Sequence, residues 1–272
     1  MKLSPNSFTL KDFSNLDDSE HSKFLIDSMH AHYTAPSMIQ IKEEALNILN
    51  LKEGESVCEI GCGLGYDAAK MAAIVGKTGN VTAIDKSQKI LFEAQKINNL
   101  PNLKFYQYDA AKLPFANNTF DVCRADRLLV SQKNVSTVLS EMVRILKPGG
   151  RLCITDLDFG SMILAPYIST VDKIIKYWQN LVENPYVGRQ LPALFKDLNL
   201  SINQPISNAF HVSSYKMLQK IVPFDIMLNN MVNIKLVSKQ QKADSIEAFE
   251  KTDREGTFFW SINLVTMMGY TN

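Results

Sequence analysis

The run Val57–Cys58–Glu59–Ile60–Gly61–Cys62–Gly63–Leu64–Gly65–Tyr66 decides the fold. An apolar strand feeds a turn with glycine at every second position, and a helical pattern starts directly at Tyr66. Glycine lets the backbone turn tightly and approach a ligand, and the free N–H groups of the helix's first turn face the same space. The G-x-G-x-x-G spacing that seats a dinucleotide pyrophosphate needs its third glycine one residue later, where Tyr66 stands. Glu59 precedes the turn and is directed into the same crevice. A carboxylate there repels a pyrophosphate and suits a ligand carrying an ammonium or a sulfonium.

Working outward, short apolar runs alternate with helical patterns. Strands are expected over 56–60, 80–84, 103–108, 120–124 and 151–155, and helices over 66–75, 88–97 and 136–146. This rhythm predicts an α/β fold with a parallel sheet covered by helices on both faces. An amphipathic helix is expected over 36–50, preceded by a polar segment holding His30, His32 and Tyr33. After the fifth strand come helices over 169–182 and 192–198, then an extended strand over 201–212. The very apolar stretch 214–237 is helical and broken at Pro223. A polar helix over 238–254 and a closing strand over 258–268 complete the chain. We read residues 1–272 as a single domain: an N-terminal lid (1–35), a cofactor-binding core (36–160), and acceptor-side helices with closing strands (161–272).

The 272 residues carry 29 basic and 28 acidic side chains, a formal net charge of +1. That balance argues against a nucleic-acid binder, which would show a basic surplus or stripe. No apolar run approaches the roughly 18 residues of a membrane span, and the polar N-terminus has no signal-peptide core. A cytoplasmic protein is expected. Cys58, Cys62, Cys123 and Cys153 lie in or beside strand-like runs and read as buried thiols, without zinc spacing.

Two acids join the glycine turn. Asp85 ends the second strand, placed to accept from both hydroxyls of a ribose, and Asp109 ends the third, where it can accept from an adenine amino group. All three features lie at the C-terminal ends of strands, the edge where open parallel sheets bind ligands.

Five motifs extend the pattern: E-I-G-C-G-L-G at 59–65, G-N-V-T-A-I-D at 79–85, D-A-A-K-L-P-F at 109–115, N-T-F-D-V-C-R-A-D-R at 118–127 and E-M-V-R-I-L-K-P-G-G-R-L at 141–152. Together they resemble the class I S-adenosylmethionine-dependent methyltransferases, in particular the small-molecule group that includes the ubiquinone and menaquinone biosynthesis enzymes. The resemblance implies a Rossmann-like, mostly parallel seven-stranded sheet with an antiparallel last strand, and S-adenosyl-L-methionine as cofactor. It places Gly61 and Gly63 under the methionine part and Glu59 at its amino group. It puts Asp85 on the ribose, Lys86 beside the adenine, and Asp109 with the Ala110 amide on the adenine edge. It assigns the Arg124 backbone carbonyl to the ammonium and Tyr33 to the methionine carboxylate. The Gln-His pair that many relatives carry after A-D-R is replaced by Val130–Ser131, so acceptor-binding roles do not transfer.

Candidate bases are His30, His32, His211, Asp156 and Asp158. The two aspartates follow the fifth strand and are preferred, with His211 as the further catalytic candidate. No third ligand arrives to make a metal site. A methionine-rich stripe from Met217 to Ile234 suits a malleable apolar pocket, so a small, largely apolar acceptor is expected. The competing readings are a protein or RNA methyltransferase, a nicotinamide-dependent oxidoreductase, and a non-catalytic cofactor-binding relative. Oligomeric state is left open by the sequence.

Overall fold

Five apolar runs, each bounded by turn residues, line up in parallel in the computed structural model, which describes residues 15–272. They are β1 (Ser56–Ile60), β2 (Asn80–Asp85), β3 (Leu103–Gln107), β4 (Phe120–Asp126) and β5 (Leu146–Ala165), in the order β3-β2-β1-β4-β5. α1 (Ser22–Thr34) and α2 (Pro36–Leu49) precede β1; α3 (Tyr66–Val75), α4 (Gln88–Ile97) and α5 (Val135–Arg144) make the crossovers. Caps written in the sequence start α4 and α5. The Ser87 hydroxyl accepts from the Ile90 N–H, and the Asn134 side chain accepts from Thr137.

Alternation along each strand divides the core between two faces. Val57, Val81 and Val122 pack with Leu49, Met71 and Val75. Cys58 and Cys123, the next residues along β1 and β4, join the larger cluster with Ile154, Leu139, Met142, Trp178 and Phe195. All four cysteines are free thiols, three of them buried.

The second half departs in detail from expectation. After α6 (Val171–Gln179) and α7 (Val187–Asp197) the chain forms two short strands, β6 (Ser201–Ile202) and β7 (Ile206–Val212), where one was expected. Pro205 lies in the interruption and has no N–H for a ladder. Both pieces pair antiparallel with β8 (Phe259–Tyr270), which in turn runs antiparallel to β5. Among the described residues the sheet therefore has eight strands, with β6 and β7 sharing the seventh position beside β8. β5 continues past 155 to Ala165 because β8 keeps pairing with it across a register shift between Asp158 and Ile163. Pro192, read as a helix start, sits inside α7.

Between β7 and β8 lie α8 (Tyr215–Ile221), α9 (Phe224–Asn233) and α10 (Lys239–Arg254), with Pro223 separating α8 from α9 as expected. Ser238 and Gln241 form a reciprocal capping box at the start of α10. Among the described residues no helix is long and apolar enough to cross a membrane.

The segment before α1 is stitched to the sheet beside β2. Asp17 accepts from the backbone N–H groups of Gln88 (2.8 Å) and Lys89 (3.0 Å) and from the Ser87 hydroxyl (2.5 Å), so a carboxylate caps the positive end of α4. Leu16 and Leu25 pack with Leu64, Ile90 and Leu91.

Candidate functional site

The glycine turn is built as its composition demands. Gly61, Gly63 and Gly65 all hold positive φ, at 71°, 52° and 72°, a region where a side chain costs about 1 kcal/mol or more. A Cβ on Gly65 would come within 2.7 Å of the Phe105 ring. Asp85, at the tip of β2, anchors the turn: one carboxylate oxygen accepts from the Gly63 N–H (3.1 Å), the other from the Ser87 N–H (3.0 Å). Burial pushes the Asp85 carboxyl up, against these donors. Asp109, exposed beyond β3, accepts from the Ala111 N–H at 2.8 Å.

These elements line one side of a cavity of about 780 Å³. Tyr33, Glu59, Gly61, Gly63, Asp85, Lys86, Asp109 and Ala110 all contribute to its wall. Eight of the nine expected cofactor-site residues thus converge. Tyr33 reaches it from α1 and stacks on Tyr66, with ring centroids 4.2 Å apart. At the other end the wall is apolar, with Phe159, Trp178, Leu181, Phe210, Trp260 and Ile262.

Arg124 is the exception. β4 runs two residues beyond the expected end, so Asp126 and Arg127 reach the cavity and Arg124 does not. Its carbonyl belongs to an interior strand position, paired with β1 and β5. Its guanidinium, fully buried, is the more informative group. Nη1 donates to Glu59, and Nη2 donates to Asp67 and Asp126, each at 3.0 Å. Lys42, from α2, adds a bond to Asp67 at 2.5 Å and one to Asp126 at 3.4 Å, and Arg127 donates to Asp126 at 3.0 Å. Burial alone would lower the Arg124 pKa, but Asp67, Glu59 and Asp126 outweigh it and keep the cation. Burial lifts the Glu59 carboxyl to about 7 against the pull of Arg124. Three carboxylates and three cations share this cluster, yet Oε2 of Glu59 and Oδ1 of Asp67 are buried without a partner among the described residues. The sequence held a signal for it: a lysine among the buried positions of α2, and an arginine inside an apolar strand.

The expected bases are placed elsewhere. Strand alternation turns Leu157 and Phe159 into the cavity and Asp156 and Asp158 away from it. Asp156 accepts from the N–H groups of Leu129 (2.7 Å), Val130 (3.3 Å) and Leu157 (2.9 Å), bracing the 3-10 turn Leu129–Ser131. Burial pushes its carboxyl up to about 7. Asp158 is paired with Arg189 at 2.8 Å. His211 is exposed and stacks on Phe259, while its neighbour Phe210 faces the cavity. None of the three is a cavity residue.

His32, named among the bases but not preferred, does line the cavity. Its Nδ1–H donates to the Ser28 carbonyl at 3.0 Å, which leaves Nε2 as the lone-pair nitrogen. Burial, helped by the nearby Arg127, lowers its pKa to about 3. His30 donates to or accepts from the Tyr66 hydroxyl at 2.5 Å. The methionine stripe is core instead of pocket: Met231 is fully buried in the main cluster, and of α8, α9 and the turn between them only Ile221 and Val222 reach the cavity.

Residues 51–247 match the family of methyltransferase domains. The chain belongs to this methyltransferase family. The resemblance to the class I S-adenosylmethionine-dependent enzymes therefore stands, with the mixed Rossmann-like sheet it implied. Among curated relatives, the methyltransferase is 33% identical over 135 residues to the ubiquinone/menaquinone biosynthesis C-methyltransferase UbiE of Citrobacter koseri, covering 48% of this chain and 53% of that one. It is 31% identical over 174 residues to a 37.1 kDa protein in a transposon of Streptomyces fradiae, covering 62% of this chain and 50% of the other. The chain spans about half the length of these relatives. Phosphoethanolamine N-methyltransferase 2 of Haemonchus contortus, solved with S-adenosylhomocysteine, superposes with a TM-score of 0.60 at 15% identity, over 98% of this chain and 61% of that one. That likeness shows the fold.

Proposed function

We propose that this chain moves a methyl group from S-adenosyl-L-methionine to a small, largely apolar acceptor. The observation that carries the reading is continuity: one cavity joins the polar strand tips to a wall of aromatic and aliphatic side chains. Donor and acceptor held in one enclosure react as neighbours, and alignment supplies much of the acceleration.

The residues fit the donor. The partnerless Glu59 Oε2 is an acceptor awaiting a cationic hydrogen-bond donor, which an α-ammonium supplies. Gly61 and Gly63 offer backbone without side chains beneath the chain of the ligand. Asp85 takes the ribose hydroxyls, Lys86 and the Ala110 amide flank the adenine, Asp109 accepts from its amino group, and Tyr33 closes over the carboxylate. Bound there, the cofactor supplies a sulfonium methyl open to attack by a nucleophile. The protein's part is to orient both reactants and to exclude water, with residues 1–35 as a lid (1–14 of it lie outside the described residues), 36–160 as the cofactor core and 161–272 as the acceptor side of one domain. The UbiE relative, a C-methyltransferase by name, supports a small-molecule acceptor. The near-neutral charge supports the same choice over RNA.

Calorimetry tests the donor half: S-adenosylhomocysteine binds and NAD does not. Isotope-labelled S-adenosylmethionine with cell extracts, followed by mass spectrometry, tests the acceptor half. Label appearing in protein or RNA instead of a small molecule would overturn it.

A further inference from the structure

At the apolar end of the cavity Trp260 carries a buried donor that is not used within the protein. Trp260, on β8, is 3% exposed and lines the cavity, and among the described residues its indole Nε1–H has no hydrogen-bond partner. Its ring is held by two aromatic neighbours: Phe210 edge-to-face at 5.6 Å, and Trp178 tilted by 36° at 5.8 Å. The backbone is held as well, since β8 is paired on both sides, with Leu164 of β5 and Val212 of β7 opposite Trp260. The donor therefore cannot be turned to water without breaking this packing. A buried donor without a partner destabilises the fold, and a phenylalanine would fill the same wall without that penalty. The remaining wall side chains from β7 and β8, Phe210 and Ile262, offer no acceptor atom.

We propose that the Trp260 indole N–H is the orienting donor for the methyl acceptor, pairing with a neutral oxygen, a carbonyl or ether, carried on an aromatic or alicyclic body. The proposal rests on the methyltransferase reading and narrows its acceptor. An apolar wall binds a flat hydrocarbon body in many rotations. A single fixed donor selects one, so the nucleophilic atom is held toward the strand tips where Glu59 and Asp85 lie. The oxygen that pairs with Trp260 is not the atom methylated, and no bond to it forms or breaks. A charged oxygen is disfavoured, since no cation lies among the aromatic side chains of this wall.

Two tryptophans, Trp178 and Trp260, make the test direct. The full chain, labelled with 15N in its indoles, shows one resonance for each, assigned by Trp178→Phe and Trp260→Phe. Indane and 1-indanone, which differ by one carbonyl, are titrated in turn, with and without S-adenosylhomocysteine. Indanone is expected to move the Trp260 indole proton downfield and to bind about fivefold tighter than indane, the advantage of one neutral hydrogen bond. In Trp260→Phe that preference falls to about unity while indane affinity is kept. Equal affinities in the wild-type chain, a downfield shift at Trp178 alone, or no binding of either fragment overturns the proposal. The wild-type ratio and shift carry the test even if Trp260→Phe does not fold. Failure of S-adenosylhomocysteine to bind would count against the proposed function alone.

Discussion

Glu59 and Arg124 stand opposite each other on adjacent parallel strands, and the guanidinium donates to one carboxylate oxygen while the other stays unpartnered. The pair divides its work. Arg124 is buried completely and also holds Asp67 and Asp126, so it organises the floor beneath the cavity. Glu59 reaches the cavity wall and keeps an acceptor for whatever cation arrives. A free carboxylate at this position would be too costly to bury; a fully paired one would have nothing to offer.

Arg124→Met is therefore expected to destabilise the fold severely. It leaves Glu59, Asp67 and Asp126 with Lys42 and Arg127 as their remaining cations. Breaking a buried pair by removing one member costs about 3–5 kcal/mol. Urea unfolding followed by circular dichroism reads this as a lower midpoint, and a loss below about 1 kcal/mol would show that the cluster is hydrated.

Glu59 should make cofactor binding pH-dependent. Its carboxyl, lifted by burial to about 7, is partly protonated near neutrality. An ammonium ligand favours the ionised form, so binding releases a proton and affinity rises with pH through about 7. Calorimetry of S-adenosylhomocysteine at pH 6.5 in two buffers of different ionisation enthalpy should report that release. Glu59→Gln should weaken binding and abolish the release. An unchanged proton count in the variant would assign the linkage to another group.

What the sequence made legible followed from local chemistry. The glycine turn, the acids at the ends of β2 and β3, and the bounds of α3 and α4 were all readable, because caps, glycines and apolar periodicity act within a few residues. What it hid depended on where a strand ends and which way it faces. β4 runs to Asp126 because β5 pairs with it that far, and this moved Arg124 from the tip to the interior. The faces of Asp156, Asp158 and His211 were fixed by register with β8, a partner distant in sequence. The face of Trp260, inside the closing strand, is set by the same pairing with β5 and β7.

Asp85 carries both turn geometry and ligand contacts, and two variants separate them. Asp85→Ala should weaken S-adenosylhomocysteine binding by more than about tenfold, since hydrogen bonds to charged groups contribute roughly 1.5–3 kcal/mol. Asp85→Asn keeps one carbonyl oxygen for the Gly63 or Ser87 N–H and should fall between. Equal losses in the two would mean that charge matters and the turn does not.

Asp156 braces the 3-10 turn and is not a base on this geometry. Asp156→Ala orphans the amides of Leu129 and Val130 and should cost about 1–3 kcal/mol. Asp156→Asn retains an acceptor and should cost less, with S-adenosylhomocysteine affinity within about twofold of wild type, below 0.5 kcal/mol. A stable Asn variant that binds cofactor normally but transfers no methyl would restore it as a catalytic group.

His32 should make the fold acid-sensitive. Its folded pKa, lowered to about 3 by burial and then by Arg127 and Lys42 against the Ser28 carbonyl and Asp126, lies below the ordinary value of 6.5. Between those values the unfolded chain binds the extra proton, so the contribution is intact above about pH 6.5 and is lost as pH falls toward 3, with a slope of about 1.4 kcal/mol per pH unit. Glu59 and Asp156, both lifted to about 7, act with the opposite sign and flatten the wild-type profile. The difference between chains isolates the histidine. His32→Gln should lose less stability than wild type between pH 6.5 and pH 5, measured by urea midpoints at each pH. Parallel profiles would mean that His32 titrates normally, with water at Nε2, and that the cavity is wet at this corner.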